Sequence, residues 1–234
     1  MRVLLLAAVL LSGCASYVTP GGPVRLQDID RADIAEAAAR KPSPNFPARL
    51  AVARVQATGY KSYSAEAYGA GVFSVVTTQE LMTDGQMQAL SGWPSVAGVA
   101  PVSRLLLPAS LKSLDDLRLS AAKLQADVLL VYTLDTAFRI NGRGYGPLTA
   151  ISLGIVPDRD AHVTATASAL FIDVRTGFIY GVAEATAKAS ELTNIWNSSD
   201  TVDRKRLEAE REAVGLLLAE AGKTWSGIAG QYAR

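Results

Sequence analysis

Residues 126–134 read ADVLLVYTL, an almost unbroken apolar run. A short run rich in branched residues is typical of a β-strand, and apolar residues on both faces indicate a strand in the middle of a sheet. Because side chains alternate along a strand, we expect two apolar faces. The expected faces are Val128, Leu130 and Tyr132 on one side and Leu129 and Val131 on the other.

A helix is predicted directly before this strand. Ser113 and Asp116 have the spacing of a capping box, with Asp in place of the usual Glu. Apolar residues then recur at helical spacing, so the helix buries one stripe. The stripe consists of Leu114, Leu117, Ala121 and Leu124.

A hairpin and a long helix are predicted after it. Residues 161–174 and 178–189 read as two strands, joined by a tight turn in which Gly177 supplies a positive φ. A final helix capped by Asp200 carries an apolar stripe that we expect to pack on the sheet. The stripe consists of Leu207, Val214, Leu217 or Leu218, Ala221, Trp225, Ile228 and Tyr232.

The chain before residue 113 gives weaker patterns. Residues 49–56 and 72–77 read as strands around a long polar loop, and residues 96–107 as a third extended run. In the first strand, Arg54 falls among the polar positions of the alternation. A helix from Asp84, its expected cap, to residue 90 separates the second and third runs.

These elements predict an α/β fold, a single mixed-sheet sandwich domain over residues 48–234 with flanking helices and a long C-terminal helix. Residues 14–47 are expected to form a tether. It contains a short helix over residues 30–40, capped by Asp28 or Asp30, and a proline-rich linker.

Composition excludes several classes of protein. The 234 residues are 49% hydrophobic and 19% charged, which is unlike a disordered chain. The balance of 23 basic and 22 acidic side chains argues against nucleic-acid binding. With one Cys and one His, neither a disulfide framework nor a zinc site is expected, and no motif indicates a cofactor.

The N-terminus resembles the signal peptide of a bacterial lipoprotein. Residues 3–11 form an apolar run that is too short to span a bilayer but fits a signal peptide. The following Leu11-Ser12-Gly13-Cys14 resembles a lipobox, and Cys14 is the only cysteine of the chain. The resemblance implies removal of residues 1–13 and attachment of acyl chains such as palmitate to Cys14. In Gram-negative lipoproteins, Ala15 after the cysteine implies sorting to the outer membrane, with the domain on its periplasmic face.

The domain itself is similar to the curli-secretion-like lipoproteins and the TolB N-terminal domain. The similarity rests on residues 48–52, 126–132 and 169–180, and the order of segments also resembles the rhombotarget lipoproteins. It covers roughly residues 48–221. The resemblance implies the fold and brings no catalytic residues.

Candidate functional residues are few. Tyr60, Tyr63 and Tyr68 cluster in the long polar loop, where tyrosines suit adaptable recognition, although tyrosines in a loop more often serve packing alone. His162 would have to serve as any catalytic base, but its surroundings are typical of a solvated histidine. The carboxylates Asp127 and Asp173 are placed at strand ends.

The segment from Gly146 to Pro157 is apolar and about as long as one transmembrane strand. We expect it to cover the domain, since a membrane barrel must close and the sequence offers only one such hairpin.

Taken together, these patterns indicate a non-enzymatic lipoprotein of the cell envelope that binds the membrane through its lipid and acts in binding or assembly. Its partners would be other envelope proteins or copies of itself. The alternatives are an oligomeric pore or export component and an envelope hydrolase.

Overall fold

The computed structural model describes residues 16–18, 22–43, 45–62, 65–77, 80–142, 159–193 and 198–233. The strands are β1 (Ser16–Val18), β2 (Ala48–Ala57), β3 (Ala70–Gly71), β4 (Phe73–Val76), β5 (Val96–Pro101), β6 (Ser110–Leu111), β7 (Val128–Gly142), β8 (Arg159–Asp173) and β9 (Ile179–Thr193). The helices are α1 (Leu26–Ile29), α2 (Ile34–Ala39), α3 (Asp84–Ser91), α4 (Leu114–Lys123) and α5 (Ser198–Tyr232). Among the described residues, no helix is long and apolar enough to cross a membrane.

One mixed sheet of seven strands organises the molecule, with the order β4-β2-β7-β8-β9. The remaining two strands join it at the side, where β1 pairs with β7 and β5 pairs with β2. The predicted central strand is confirmed, because β7 lies between a parallel β2 and an antiparallel β8. The predicted α/β architecture with flanking helices and a long C-terminal helix is confirmed as well.

Two hydrophobic cores lie on opposite faces of this sheet. Val128, Leu130 and Tyr132 belong to the core beneath α5, and Leu129 and Val131 to the core beneath α4, as the alternation predicts. Each of these side chains is at most 7% exposed. Burial of both faces explains why residues 128–132 of β7 have no polar face in the sequence.

The hairpin prediction is also confirmed. β8 and β9 pair along their length in antiparallel register, and Gly177 in the connecting turn has φ of 73°. One face of β8 is buried beneath α5. It consists of Val163, Ala165, Ala167 and Ala169.

Helix caps were predicted with mixed success. The capping box of Ser113 and Asp116 is present at the start of α4. For α3, the prediction that Asp84 is the cap is wrong. Thr83 caps the helix and forms a capping box with Gln86, which leaves Asp84 in the first turn.

The short N-terminal helix is another correction. Two helices, α1 and α2, replace the single predicted one, and Asp33 rather than Asp28 or Asp30 caps the second. The Asp33 side chain accepts from Glu36 N at 2.8 Å. Asp30 is instead held by Arg40, which removes it from capping.

Two predicted boundaries also shift. The extended run ends at Pro101, and a 3₁₀ turn over Arg104–Leu106 follows it, started by the Ser103 hydroxyl accepting from Leu105 N. The long helix begins at Ser198, so Asp200 lies inside its first turn and is not the cap.

The segment before the domain lies on the sheet. Val24 N donates to Thr133 Oγ1 at 3.1 Å, and Ile29 is only 3% exposed in the core beneath α4. Ser43 N donates to Asp173 Oδ2 at 2.7 Å. The described residues 22–43 therefore contribute contacts to the domain.

Candidate functional site

Charged side chains meet in the interior beneath α5, and we call them the interior ion cluster. Its members come from β2, the segments around β4 and α3, β7 and α5. They are Arg54, Tyr60, Glu80, Thr136, Arg206 and Glu210.

Arg54 is the centre of one half of this cluster. Its Nη1 donates to Glu80 Oε1 at 2.8 Å and its Nη2 to Tyr60 Oη at 2.9 Å. The guanidinium also lies 5.1 Å from the centre of the Tyr60 ring. Its Nε is buried without a hydrogen-bond partner among the described residues. The prediction that Arg54 belongs to the polar side of β2 is wrong, since it is 3% exposed.

Glu210 of α5 is the centre of the other half. Arg206 Nη1 donates to its Oε2 at 2.6 Å, and Thr136 Oγ1 donates to its Oε1 at 2.8 Å. Burial raises the pKa of Glu210 above its usual range, although Arg206 and Arg54 oppose the change. The cluster therefore joins α5 to β7 in the interior of the domain.

The cluster is suited to positioning rather than to chemistry. Its two arginines and two glutamates balance in charge, and each carboxylate has a cation within 2.8 Å. Burial also raises the pKa of Tyr60, so its phenol is neutral near pH 7 and accepts from Arg54. Sequence reasoning missed the cluster. The only signal was a charged residue at Arg54, two positions after the apolar Val52 and therefore on the same face of the strand.

The predicted loop tyrosines have different surroundings. Tyr60 is 1% exposed and belongs to the interior ion cluster, and Tyr68 is half-buried beneath the Arg104 guanidinium at 5.7 Å. Tyr63 and the lipidation candidate Cys14 lie outside the described residues, as does the segment from Gly146 to Pro157. Recognition by these tyrosines stays a prediction.

Asp173, one of the two singled-out carboxylates, organises the hairpin turn. Its Oδ1 accepts from Arg175 N and Thr176 N at 2.9 Å each. Its Oδ2 accepts from Ser43 N at 2.7 Å and from Tyr180 Oη at 2.6 Å. Burial and the neighbouring Asp173 carboxylate raise the pKa of Tyr180, so the phenol keeps its proton and donates.

Asp127, the second of these carboxylates, holds the start of β2. It accepts from Arg49 N at 3.0 Å and from Asn45 Nδ2 at 3.3 Å. His162, the candidate base, is exposed on β8 between its strand neighbours Arg139 and Ser190. Among the described residues, no group of three or more His, Cys, Asp or Glu side chains could hold a metal ion.

Two surface pockets lie beside α1. An apolar groove of about 390 Å³ runs between the α1 segment and the outer face of β7, β8 and β9. A polar pocket of about 220 Å³ lies on the other side of α1, and it contains ion pairs of Arg40 with Asp30 and of Arg118 with Asp115. The groove is lined chiefly by Val24, Leu26, Ile29, Val131, Leu170 and Val182.

The solved structures that are similar to this chain include two bacterial lipoproteins. No family model and no curated protein matches the chain. A candidate lipoprotein of Caulobacter crescentus CB15 has 10% identity and a TM-score of 0.30, over 49% of this chain and 84% of the other. Lipoprotein GNA1162 of Neisseria meningitidis has 14% identity and a TM-score of 0.27, over 68% and 94%. At these TM-scores neither similarity assigns a function to the chain.

Proposed function

We propose that this protein is a lipid-anchored lipoprotein of the bacterial cell envelope, with a non-catalytic domain that binds or assembles other components. The sequence Leu11-Ser12-Gly13-Cys14 after an apolar run carries the proposal. Cys14 is the only cysteine, so lipidation uses the one thiol of the chain. Two or three acyl chains on Cys14 anchor the domain firmly, whereas one alone would bind the membrane only marginally.

The carboxylates described above already form hydrogen bonds or ion pairs within the protein, which supports a non-catalytic domain. Asp173 accepts four hydrogen bonds from the turn, the linker and Tyr180. Asp127 accepts one from Arg49 of β2 and one from Asn45 before the strand. Glu80 and Glu210 are paired with arginines in the interior. These groups hold the fold together, and their lone pairs are directed at the protein itself.

Metabolic labelling with a palmitate analogue tests the anchor. The wild-type chain should incorporate the label and fractionate with membranes, whereas Cys14→Ser should remain an uncut, unlabelled precursor. Ser16→Ala is the matched control, because it removes a nearby hydroxyl and keeps the thiol. Labelling of Cys14→Ser, or cleavage of the wild-type chain elsewhere, would contradict the proposal.

Ala15 carries the proposal of outer-membrane sorting. Ala15→Asp should move the lipidated protein to the inner membrane, because Asp at this position is the retention signal that the lipoprotein resemblance implies. Density separation of the two membranes measures the distribution. An unchanged distribution would contradict outer-membrane sorting and leave lipidation itself supported.

A further inference from the structure

β9 forms one border of the sheet. It spans fifteen residues and pairs with β8 along one edge. Within the described part of the chain, no strand pairs with its other edge. The exposed edge of a long strand is a template for pairing with a further strand.

The middle of β9 has a symmetric sequence. Residues 183–189 read AEATAKA, which is the same in both directions apart from Glu184 and Lys188. If two copies of β9 pair antiparallel about Thr186, Glu184 of each copy lies opposite Lys188 of the other. Opposite charges in such cross-strand pairs stabilise pairing, and like charges oppose it.

The residues that would meet are accessible. Glu184, Thr186 and Lys188 are exposed on the outer face of the sheet. On the other face of β9, Ala183 and Ala187 are buried beneath α5. A second copy would therefore extend the sheet without removing residues from the core.

α5 places an apolar residue at the same level. Thr224 Oγ1 donates to Val182 O at 3.4 Å, which fixes the helix against β9. Leu216 lies eight residues earlier on α5, about 12 Å along the helix. Thr186 lies four residues further along β9, about 13 Å along the strand in the same direction.

Leu216 is accessible on the surface of α5, with 46% of the residue exposed. Gly215 and Gly222 lie roughly 100° and 120° around the helix from Leu216 and face Gln86 and Trp93, so the α3 region covers a different side of α5. An exposed leucine beside the central threonine supplies an apolar contact between two copies.

We infer that two copies of this chain associate edge to edge through β9, antiparallel about a two-fold axis at Thr186. The interface is isologous, because the same residues contribute from both protomers. It pairs Glu184 with Lys188 twice and brings the two Leu216 side chains together. The association does not depend on the lipid anchor.

Disulfide formation tests the position of the axis. Residues opposite each other in antiparallel strands have Cα atoms about 4.5–5.5 Å apart, a distance that a disulfide spans. Full-length Thr186→Cys in native membranes should therefore form a crosslinked dimer under mild oxidation. Thr166→Cys is the matched control, since Thr166 hydrogen-bonds Thr186 from β8 but would lie three strand spacings, about 14 Å, from its counterpart.

Charge reversal tests the register. Glu184→Lys should lower dimer affinity about tenfold, because two attractive pairs become repulsive. Lys188→Glu should do the same, and the double variant should restore both crosslinking of Thr186→Cys and the dimer mass measured by ultracentrifugation in detergent.

Each outcome decides the proposal. Equal crosslinking of Thr186→Cys and Thr166→Cys, a monomeric wild-type chain, or a double variant as weak as either single variant would overturn it. Crosslinking of the wild-type chain through Cys14 would contradict the lipid anchor instead. The comparison is then repeated with Cys14→Ser in both variants.

Discussion

Arg54 on β2 and Glu80 form an ion pair of 2.8 Å in the protein interior, with side chains 2% and 4% exposed. The segment that contains Glu80 also receives a hydrogen bond from α5, because Arg211 Nε donates to the Glu80 carbonyl at 3.0 Å. The pair thus joins β2 to the segment that precedes α3. This segment is in turn hydrogen-bonded to α5. Buried pairs add little net stability, but removal of one partner leaves an uncompensated charge.

Glu80→Gln should therefore destabilise the domain by about 3–5 kcal/mol, since the buried Arg54 cation loses its counter-charge. Unfolding by urea, followed by circular dichroism, measures the difference. Glu220→Gln is the matched control, because the Glu220–Lys223 pair is 48% and 73% exposed and should contribute at most about 1 kcal/mol. Equal effects of the two variants would show that the interior pair is not a structural requirement.

Leu130→Ala tests the central strand. Leu130 is 2% exposed in the core beneath α5, so its truncation should cost about 2–5 kcal/mol. Leu105→Ala removes the same atoms at a residue that is 94% exposed and should change stability by at most about 0.5 kcal/mol. A loss of a few tenths for Leu130→Ala would contradict close packing of α5 on the sheet.

The sequence predicted those parts of the fold that depend on local pattern. The run around Leu130 indicated the central strand, Ser113 and Asp116 indicated the start of α4, and Gly177 indicated the hairpin turn. Each signal lies within a few residues of its effect. The wrong prediction of Asp84 as the cap of α3 could also have been avoided from local sequence. Gln86 lies at the position that completes a capping box with Thr83.

The interior ion cluster could not be predicted in this way. Arg54, Glu80 and Glu210 are far apart in the chain, and a charged residue in a strand pattern normally indicates an exposed position. Only the tertiary packing of α5 on β7 shows which charges compensate one another. The sequence placed Tyr60 in a polar loop and did not indicate that its ring is buried.

Asp173→Asn tests the hydrogen bonds that close the hairpin turn. An amide nitrogen in place of one carboxylate oxygen faces N–H or O–H donors instead of accepting from them. We expect a loss of about 1–3 kcal/mol in unfolding free energy. Asp135→Asn on β7 is the matched control, because Asp135 is exposed. Loss of Tyr180 hydroxyl protection in proton exchange would confirm the site, and an Asn variant as stable as the wild type would contradict it.

The pair of Asp30 and Arg40 predicts a specific response to acid. Arg40 Nη1 donates to Asp30 Oδ2 at 2.6 Å and Nη2 to Oδ1 at 3.0 Å, joining the end of α1 to the end of α2. These hydrogen bonds hold the pKa of Asp30 below its ordinary value of 3.8, despite partial burial. As the pH falls below 3.8, Asp30 takes up its proton in the unfolded chain before it does so in the folded one. The contribution of Asp30 to stability therefore decreases as the pH falls through its folded pKa.

Asp30→Asn should therefore be less stable than the wild type at neutral pH, and the difference should vanish at acid pH. The loss should begin near 3.8, the ordinary value of the carboxyl, and be complete only below the lowered pKa of the folded state. Urea unfolding at a series of pH values from neutral to about 2 measures this difference. Arg40→Gln should lose at least as much stability at neutral pH, because it also removes the hydrogen bond from Arg40 to the Gly177 carbonyl. The double variant should add little to Arg40→Gln alone, because the pair with Asp30 is already absent there. A difference that stays constant down to the lowest pH would show that the ionised Asp30 carboxylate does not hold α1 and α2 together.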